Sequence, residues 1–484
     1  MTKTSGAARE QPPGLAGDQH PDDIVERLGS ADHIIESDSP PNRLRYVLVL
    51  IGAVCIQVSA GIVLSGLSMF TDRIRADLWP DGEVSRAQVQ SFYSVILMVG
   101  IAVMPIAGRL IGRLGGRKLL VIGGLISSLG IAGLATAQGM AGLYLFSAIT
   151  GLGFGMSVNY VPIILVNTWF DKFKGVAMGT VVAGTGVGGM VGSLVFSNTN
   201  QPVEDGGLGW RASMLIGAAL YAVFCLIPAW LLVVNRPSDV GLPVYGRTVV
   251  ETDHIVLENE VADGVPLPGL KVGEAIRSGW FWLLYAALII MGVYYAMGQI
   301  TQPYYINQGS YPGSGVTPAL AGALMTAQMI GLIVTKPLLG ALTEAIGMIK
   351  AMAIVMIVHA VAGYLLGSVL FPTGWWIFIL TALVGAGFAI GSLTPPLVCA
   401  AAFGQRDYPA IYGVLGSAYP LGLAVGSMIW SAAGMIGADA GQPWQLYRVA
   451  MKWCWILGVL ILAGYFFAIR GGRARQHRLH AETR

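Results

Sequence analysis

The chain has 484 residues, 55% of them hydrophobic and only 11% charged, against roughly a quarter charged in soluble domains. A soluble fold of this length could not bury that much apolar surface, so the composition excludes one. The net charge of +3 says little as a total, and no nucleic-acid partner is expected. Glycine is abundant at 66 residues, as in helices that pack closely in lipid. The four cysteines, Cys55, Cys225, Cys399 and Cys454, fall inside apolar runs without paired spacing. They read as small buried hydrophobes, with no disulfide, metal or cofactor expected.

Residues 1–45 are polar, rich in Pro, Gly and Asp, and have no apolar core. They read as a disordered tail and not as a signal peptide. About 20 apolar residues span a bilayer, where every backbone group must be satisfied within a helix. Such runs fall near 46–70, 89–110, 118–138, 142–168, 174–198 and 211–235. A polar loop, 236–278, follows. Six more runs lie near 280–305, 317–341, 348–370, 375–402, 408–434 and 447–470.

The expected fold is an all-α membrane protein of twelve transmembrane helices. Its two six-helix halves cover 46–235 and 279–470, and a basic tail follows over 471–484. With both termini cytoplasmic, 22 Lys and Arg fall inside and 6 outside. That bias predicts a multi-pass protein of the inner (cytoplasmic) membrane with both ends inside.

The halves repeat. Pro105 and Gly108, closing the second run, match Pro337 and Gly340, closing the eighth. Gly151, Gly153, Phe154 and Pro162 match Gly385, Gly387, Phe388 and Pro396 at an offset of 234, as do Gly179, Gly188 and Gly192 with Gly413, Gly422 and Gly426. Internal repeats of this kind point to a transporter with its site between the halves near the midplane. No metal cluster or nucleophile constellation suggests an enzyme.

Lys336 is the basic residue that lies well inside an apolar run. A charge there costs roughly 2.5–3.5 kcal/mol on insertion scales, so it faces a cavity or a partner; alternatively, its stem snorkels toward the interface. No Asp or Glu falls in the middle of any run, and His359 in the ninth reads as structural. Gln57, Asn159, Tyr160, Tyr294, Gln299 and Gln328 are polar groups within runs that could bind a ligand or bond between helices. The glycines of the fifth run read as helix packing, not a phosphate loop.

Gly108-Arg-Leu-Ile-Gly112-Arg113-Leu-Gly115-Gly-Arg117-Lys118 resembles the loop signature of the major facilitator superfamily. Gly340-Ala-Leu-Thr-Glu344-Ala-Ile-Gly347-Met-Ile-Lys350 is similar to its second copy. The resemblance makes Gly108, Arg113, Gly115, Arg117, Gly340, Glu344 and Gly347 gating residues. The signature's acid, which helps latch the cytoplasmic helix ends in the family, is kept as Glu344 and missing at Gly112. Trp169-Phe-Asp-Lys-Phe-Lys174-Gly175-Val-Ala177-Met-Gly179 and Glu274-Ala-Ile-Arg277-Ser-Gly-Trp-Phe281-Trp282 resemble the oxalate/formate antiporter and monocarboxylate transporter branch.

That branch carries a basic residue before the Pro of the eighth span, which implies that Lys336 anchors a substrate carboxylate, without the bidentate fork of arginine. Oxalate-type members have a second lysine where Tyr419 stands, so one cation suggests a monocarboxylate. Tyr419 can donate a hydrogen bond or simply pack. Thr185, Ser392, Leu64 and Ser65 stand where relatives carry aromatics, while Phe388 keeps one.

The expected function is alternating-access transport of a small carboxylate by proton symport or anion exchange, the protein being a monomer. An unpaired Lys336 is expected to resist closure until a carboxylate neutralises it. The rivals are a drug or metabolite exporter, indifferent to Lys336, and a non-transporting membrane sensor.

Overall fold

A computed structural model of the protein describes residues 43–63, 67–158, 160–200, 206–246, 269–296, 317–368, 374–439 and 455–482. The fold is built from helices, and eleven of those described are long and apolar enough to cross a membrane. In the amino-terminal half these are α1 (Arg43–Gly61), α3 (Arg86–Leu114), α4 (Gly116–Leu134), the pair α5 (Met140–Met156) and α6 (Val161–Trp169), α7 (Lys174–Thr199) and α8 (Gly209–Leu231). A short helix, α2 (Thr71–Leu78), lies between the first two spans. After α9 (Val272–Ile276) the carboxyl-terminal half contains α10 (Gly279–Ala296), α11 (Pro318–Ile346), α12 (Met348–Ser368), α13 (Trp376–Phe403), the pair α14 (Tyr408–Leu415) and α15 (Ala418–Asp439), and α16 (Trp455–Glu482).

Local chemistry sets the ends of these helices. Ser85 caps α3 by accepting from the Gln88 amide while the Gln88 carboxamide accepts from Ser85 N at 2.8 Å, a reciprocal box that satisfies two otherwise free amides. Gly115 and Gly347 join α3 to α4 and α11 to α12 at φ of 78° and 89°, backbone that glycine adopts without a Cβ penalty.

Two runs read as single spans are broken. The fourth is interrupted between Met156 and Val161, with Pro162 in the first turn of α6. The eleventh is interrupted at Gly416 and Ser417. The last helix runs to Glu482, well into the stretch expected as a tail. Its Arg473 and Gln476 donate to the carbonyls of Ala401 and Ala402 at the end of α13.

The two halves pack alike. α1 lies on α7 as α10 lies on α15, α3 on α5 as α11 on α13, and α4 on α8 and α12 on α16. Glycines permit the approach: a Cβ on Gly188 would strike the Val58 carbonyl of α1, and one on Gly422, 234 residues later, the Ile289 carbonyl of α10. Without a hydrophobic drive between helices in lipid, such close backbone contact is a main source of association.

The central loop is tied to both halves at the end rich in Lys and Arg, called here the basic end. Phe170 bridges Tyr245, and Gly404, the repeat mate of Phe170, bridges Gly269. The Tyr46 hydroxyl donates to Pro243 O at 2.6 Å while its ring meets Trp169 edge-on at 5.7 Å. Residues 247–268 lie outside the described residues.

Candidate substrate site and the seams around it

The halves meet along two seams. In one, α7 of the amino half lies against α11 of the carboxyl half; in the other, α3 lies against α14. Lys336 sits in the first, ten residues before the basic end of α11 at Ile346, about 15 Å along the helix at 1.5 Å per residue. It is 1% exposed, and among the described residues it is the one buried Lys, Arg, Asp or Glu. Its ammonium does not snorkel. It crosses the seam and donates to Val182 O and to Thr185 Oγ1 of α7, each at 3.0 Å, while Thr185 donates to Val182 O at 2.8 Å. The described residues place no carboxylate on it.

The basic end is closed, and among the described residues no carboxylate lies against the buried lysine. Two oxygen acceptors from the opposite half satisfy two of its three donors, which offsets part of the cost of taking the charge out of water.

Toward the basic end the first seam is sealed by backbone and one carboxylate. Cβ atoms on Gly175 and Gly340 would each strike the other's carbonyl, and Glu344 Oε1 accepts from Gly175 N at 2.6 Å. Gly175 is the second residue of α7, so its amide has no partner within the helix, and the carboxylate also faces the positive end of the helix dipole.

The second seam closes differently. Gly413 lies on Gly108 and on the Met104 carbonyl, and the Met104 methyl reaches Gly416. Tyr160 donates through its hydroxyl to Pro409 O and stacks on Tyr412 at 5.8 Å, which stacks in turn on Tyr408 at 5.7 Å. Between the seams Asn167 Nδ2 donates to Gln405 Oε1 at 2.6 Å.

The expected site residues therefore separate. Lys336 and Thr185 are brought together. Tyr419 and Phe388 are joined through Tyr295, whose ring meets Phe388 edge-on at 5.5 Å and Tyr419 at 5.7 Å. Ser392 lies one turn from Phe388 on α13, its hydroxyl turned to Ala389 O. Tyr294 lies against His359 at 5.2 Å and against the other side of the group at Phe388, 6.1 Å away, and His359 Nδ1 engages Val384 O at 2.8 Å. Gln57 is buried where α1 meets Gly184, and Gln328 where α11 meets Gly385. Tyr160 belongs to the second seam. Leu64, Ser65, Asn159 and Gln299 lie outside the described residues.

Among the residues expected to gate, Arg117 donates its amide to Asn235 Oδ1 at 2.8 Å and holds its guanidinium 5.0 Å over Trp230. Arg113 is exposed, and space around Gly112 is open.

Sequence reasoning missed Tyr295, Tyr412, Pro409 and the Val182 carbonyl. Tyr295 follows Tyr294, and successive helical residues point about 100° apart, so one tyrosine of that pair had to face away from His359. A backbone carbonyl leaves no such signal.

Two six-helix halves closing on a buried cation between them define a polytopic carrier. The family model described as Major Facilitator Superfamily matches residues 49–314, and the chain belongs to that superfamily. It is 29% identical over 170 residues to "Monocarboxylate transporter 3" of Gallus gallus, covering 34% of this chain and 29% of that one. It is 23% identical over 421 residues to "Oxalate:formate antiporter" of Oxalobacter formigenes, covering 82% and 88%. The chain thus spans less than a third of the avian relative's length and most of the bacterial one's. Among solved structures, the proton:xylose symporter bound to 6-bromo-6-deoxy-D-glucose superposes with a TM-score of 0.63 at 13% identity, covering 88% and 95%. That likeness concerns the fold.

Proposed function

We propose that the protein moves a small monocarboxylate across the inner membrane by alternating access, with Lys336 as the carboxylate anchor and both termini cytoplasmic. The observation that carries this reading is the ammonium of Lys336, the one buried charge among the described residues, set at the seam between the halves ten residues from the basic end of α11 and held by neutral oxygens. A membrane-buried charge marks a substrate or ion path, and an anion of charge −1 is the complement of a single lysine. Similarity to a monocarboxylate transporter and an oxalate:formate antiporter supports the same substrate class. Transport proceeds as proton symport or as exchange of one anion for another, the carrier acting as a monomer.

Reconstituted proteoliposomes test the proposal with labelled acetate, lactate, pyruvate and oxalate. Wild-type protein takes up one or more of the monoacids, and Lys336→Gln, which keeps much of the volume, brings uptake to background. Wild-type rates in Lys336→Gln would sink the carboxylate anchor. An imposed pH gradient that drives net uptake marks symport; stimulation only by internal carboxylate marks exchange. A drug or metabolite exporter would transport lipophilic compounds and ignore the Lys336 substitution.

A further inference from the structure

We infer that Thr185 and the Val182 carbonyl form an internal stand-in for the substrate carboxylate, so that the substrate opens the first seam by taking Lys336 away from the amino half. This rests on the reading of Lys336 as the carboxylate anchor and adds the residue that sets how readily it is captured.

The geometry has three parts. The ammonium of Lys336 belongs to α11, and both of its acceptors belong to α7, so the two bonds at 3.0 Å are bonds between the halves. The acceptors are two oxygens within reach of one ammonium, the same pattern that the two oxygens of a carboxylate present. Basal to them, the seam is held by contacts that carry no substrate: Gly179 against the Lys336 carbonyl, Gly175 against Gly340, and Glu344 on the Gly175 amide.

Both protein acceptors of Lys336 are available only when α7 and α11 lie together, so they favour the closed basic end. A carboxylate gives the ammonium a better, charged acceptor, and α7 is no longer needed to satisfy it. The latch is then released by the ligand that has to pass it, a shift that a ligand produces only by binding the two states differently.

Thr185 is the tunable part, because the Val182 carbonyl cannot be removed by substitution. Its hydroxyl is a positioning group on this view, not a substrate ligand. The pseudo-symmetric position in the second seam shows what the seam looks like without a latch. There the repeat mate of Lys336 is Met104, packed on Gly416, the mate of Val182. The mate of Thr185 is Tyr419, whose ring turns to Tyr295.

Hydrogen exchange of the full-length protein in nanodiscs tests this without relying on transport. The readout is the exchange rate of amides over 174–182, at the basic end of α7, with no substrate present. Thr185→Val, which keeps the shape and removes the hydroxyl, raises that rate roughly tenfold, the worth of one hydrogen bond to a charged group. Thr185→Ser restores the wild-type rate. Adding a transported monocarboxylate raises the rate in wild type and changes it less in Thr185→Val. An unchanged ligand-free rate in Thr185→Val and in Thr185→Ala overturns the latch, even if Lys336→Gln abolishes transport. Conversely, if Lys336→Gln transports normally while Thr185→Val opens the seam, the tie between the halves is real but the substrate does not release it, and the carboxylate reading fails together with the stand-in role. Should Thr185→Val not be recovered in folded form, Thr185→Ala carries the same comparison.

Discussion

The two seams between the halves occupy equivalent places in the repeat and are closed by different chemistry. In the α7–α11 seam the residues that matter are Lys336, Glu344 and Gly175. In the α3–α14 seam the equivalent positions hold Met104, Gly112 and Pro409. A buried ammonium is replaced by a thioether, a carboxylate by nothing, and a helix amide by an imino acid that has no N–H. The second seam compensates with Tyr160, which uses the Pro409 carbonyl, and with a stack of three tyrosines. One seam is therefore electrostatic and can respond to a charged ligand. The other is aromatic, closed by ring stacking and one neutral hydrogen bond.

The most severe way to erase this difference is to give the first seam the residue of the second. Lys336→Met removes the cation and fills its place with the side chain that the fold already accommodates at Met104. Carboxylate uptake in proteoliposomes is expected to fall by a hundredfold or more. The fold is expected to survive, since a buried charge replaced by apolar packing is often neutral for stability, while exchange over 174–182 rises because both bonds from Lys336 to α7 are lost. Thermal unfolding within a few degrees of wild type is the control that separates lost chemistry from lost fold.

Next in size is Glu344→Gln. It keeps a hydrogen-bond acceptor for the Gly175 amide but loses the charge facing the start of α7. A charge at a helix N-terminus contributes about 0.3–1 kcal/mol when exposed and up to ~2 kcal/mol when partly buried. Exchange over 174–182 is expected to rise about threefold to tenfold in the ligand-free protein, more at low salt than at high. Because the loss lies on the electrostatic seam, exchange over 408–415 in α14 should change less.

A smaller effect is expected on the aromatic side. Tyr160→Phe deletes the hydroxyl bond to Pro409 but leaves the stack on Tyr412, so it removes about 1 kcal/mol, the net worth of a neutral hydrogen bond. Exchange over 408–415 should rise up to about fivefold, with transport of a monocarboxylate retained. A rate unchanged in this segment would mean that stacking alone closes the seam.

These contrasts also show what the sequence could and could not reveal. The twelve-run pattern, the repeat at an offset of 234 and the missing acid at Gly112 were all legible, because side-chain type and spacing carry them. Lys336 stood out because a charge in an apolar run is costly. The place of Glu344 was legible from the loop signature, but its partner was a backbone amide on another helix, and no side-chain pattern encodes that. The same holds for Val182 and Pro409, which act through carbonyls. In the sequence Tyr160 reads as a polar group that binds a ligand or bonds between helices, and the structure shows the second. The acceptor is the opposite half, a choice fixed by how α6 meets α14, not by residues near Tyr160 in the chain. The breaks at 157–160 and Gly416–Ser417 are hidden for a related reason: both lie inside long apolar runs in which isolated Ser, Asn and Gly residues fit an unbroken helix equally well.

The correspondence between the missing acid and the missing amide gives the finest test. If Gly112 alone were the cause of the second seam's apolar character, Gly112→Glu would install a latch like that of Glu344. The repeat places Pro409 where Gly175 stands, however, so a carboxylate at 112 would meet a helix start that has lost the relevant donor. Gly112→Glu is thus expected to change exchange over 408–415 by less than about twofold. Pro409→Gly alone supplies the amide but no acid, and removes a residue suited to the first turn of a helix, so it should loosen the seam slightly. The double substitution is expected to be tighter than the two single effects predict, by a coupling of about 0.5–1 kcal/mol, at the low end for a group that remains solvent-facing. Additive behaviour in that cycle would mean that the geometry of the second seam, and not its missing charge and donor, keeps it from latching as the first does.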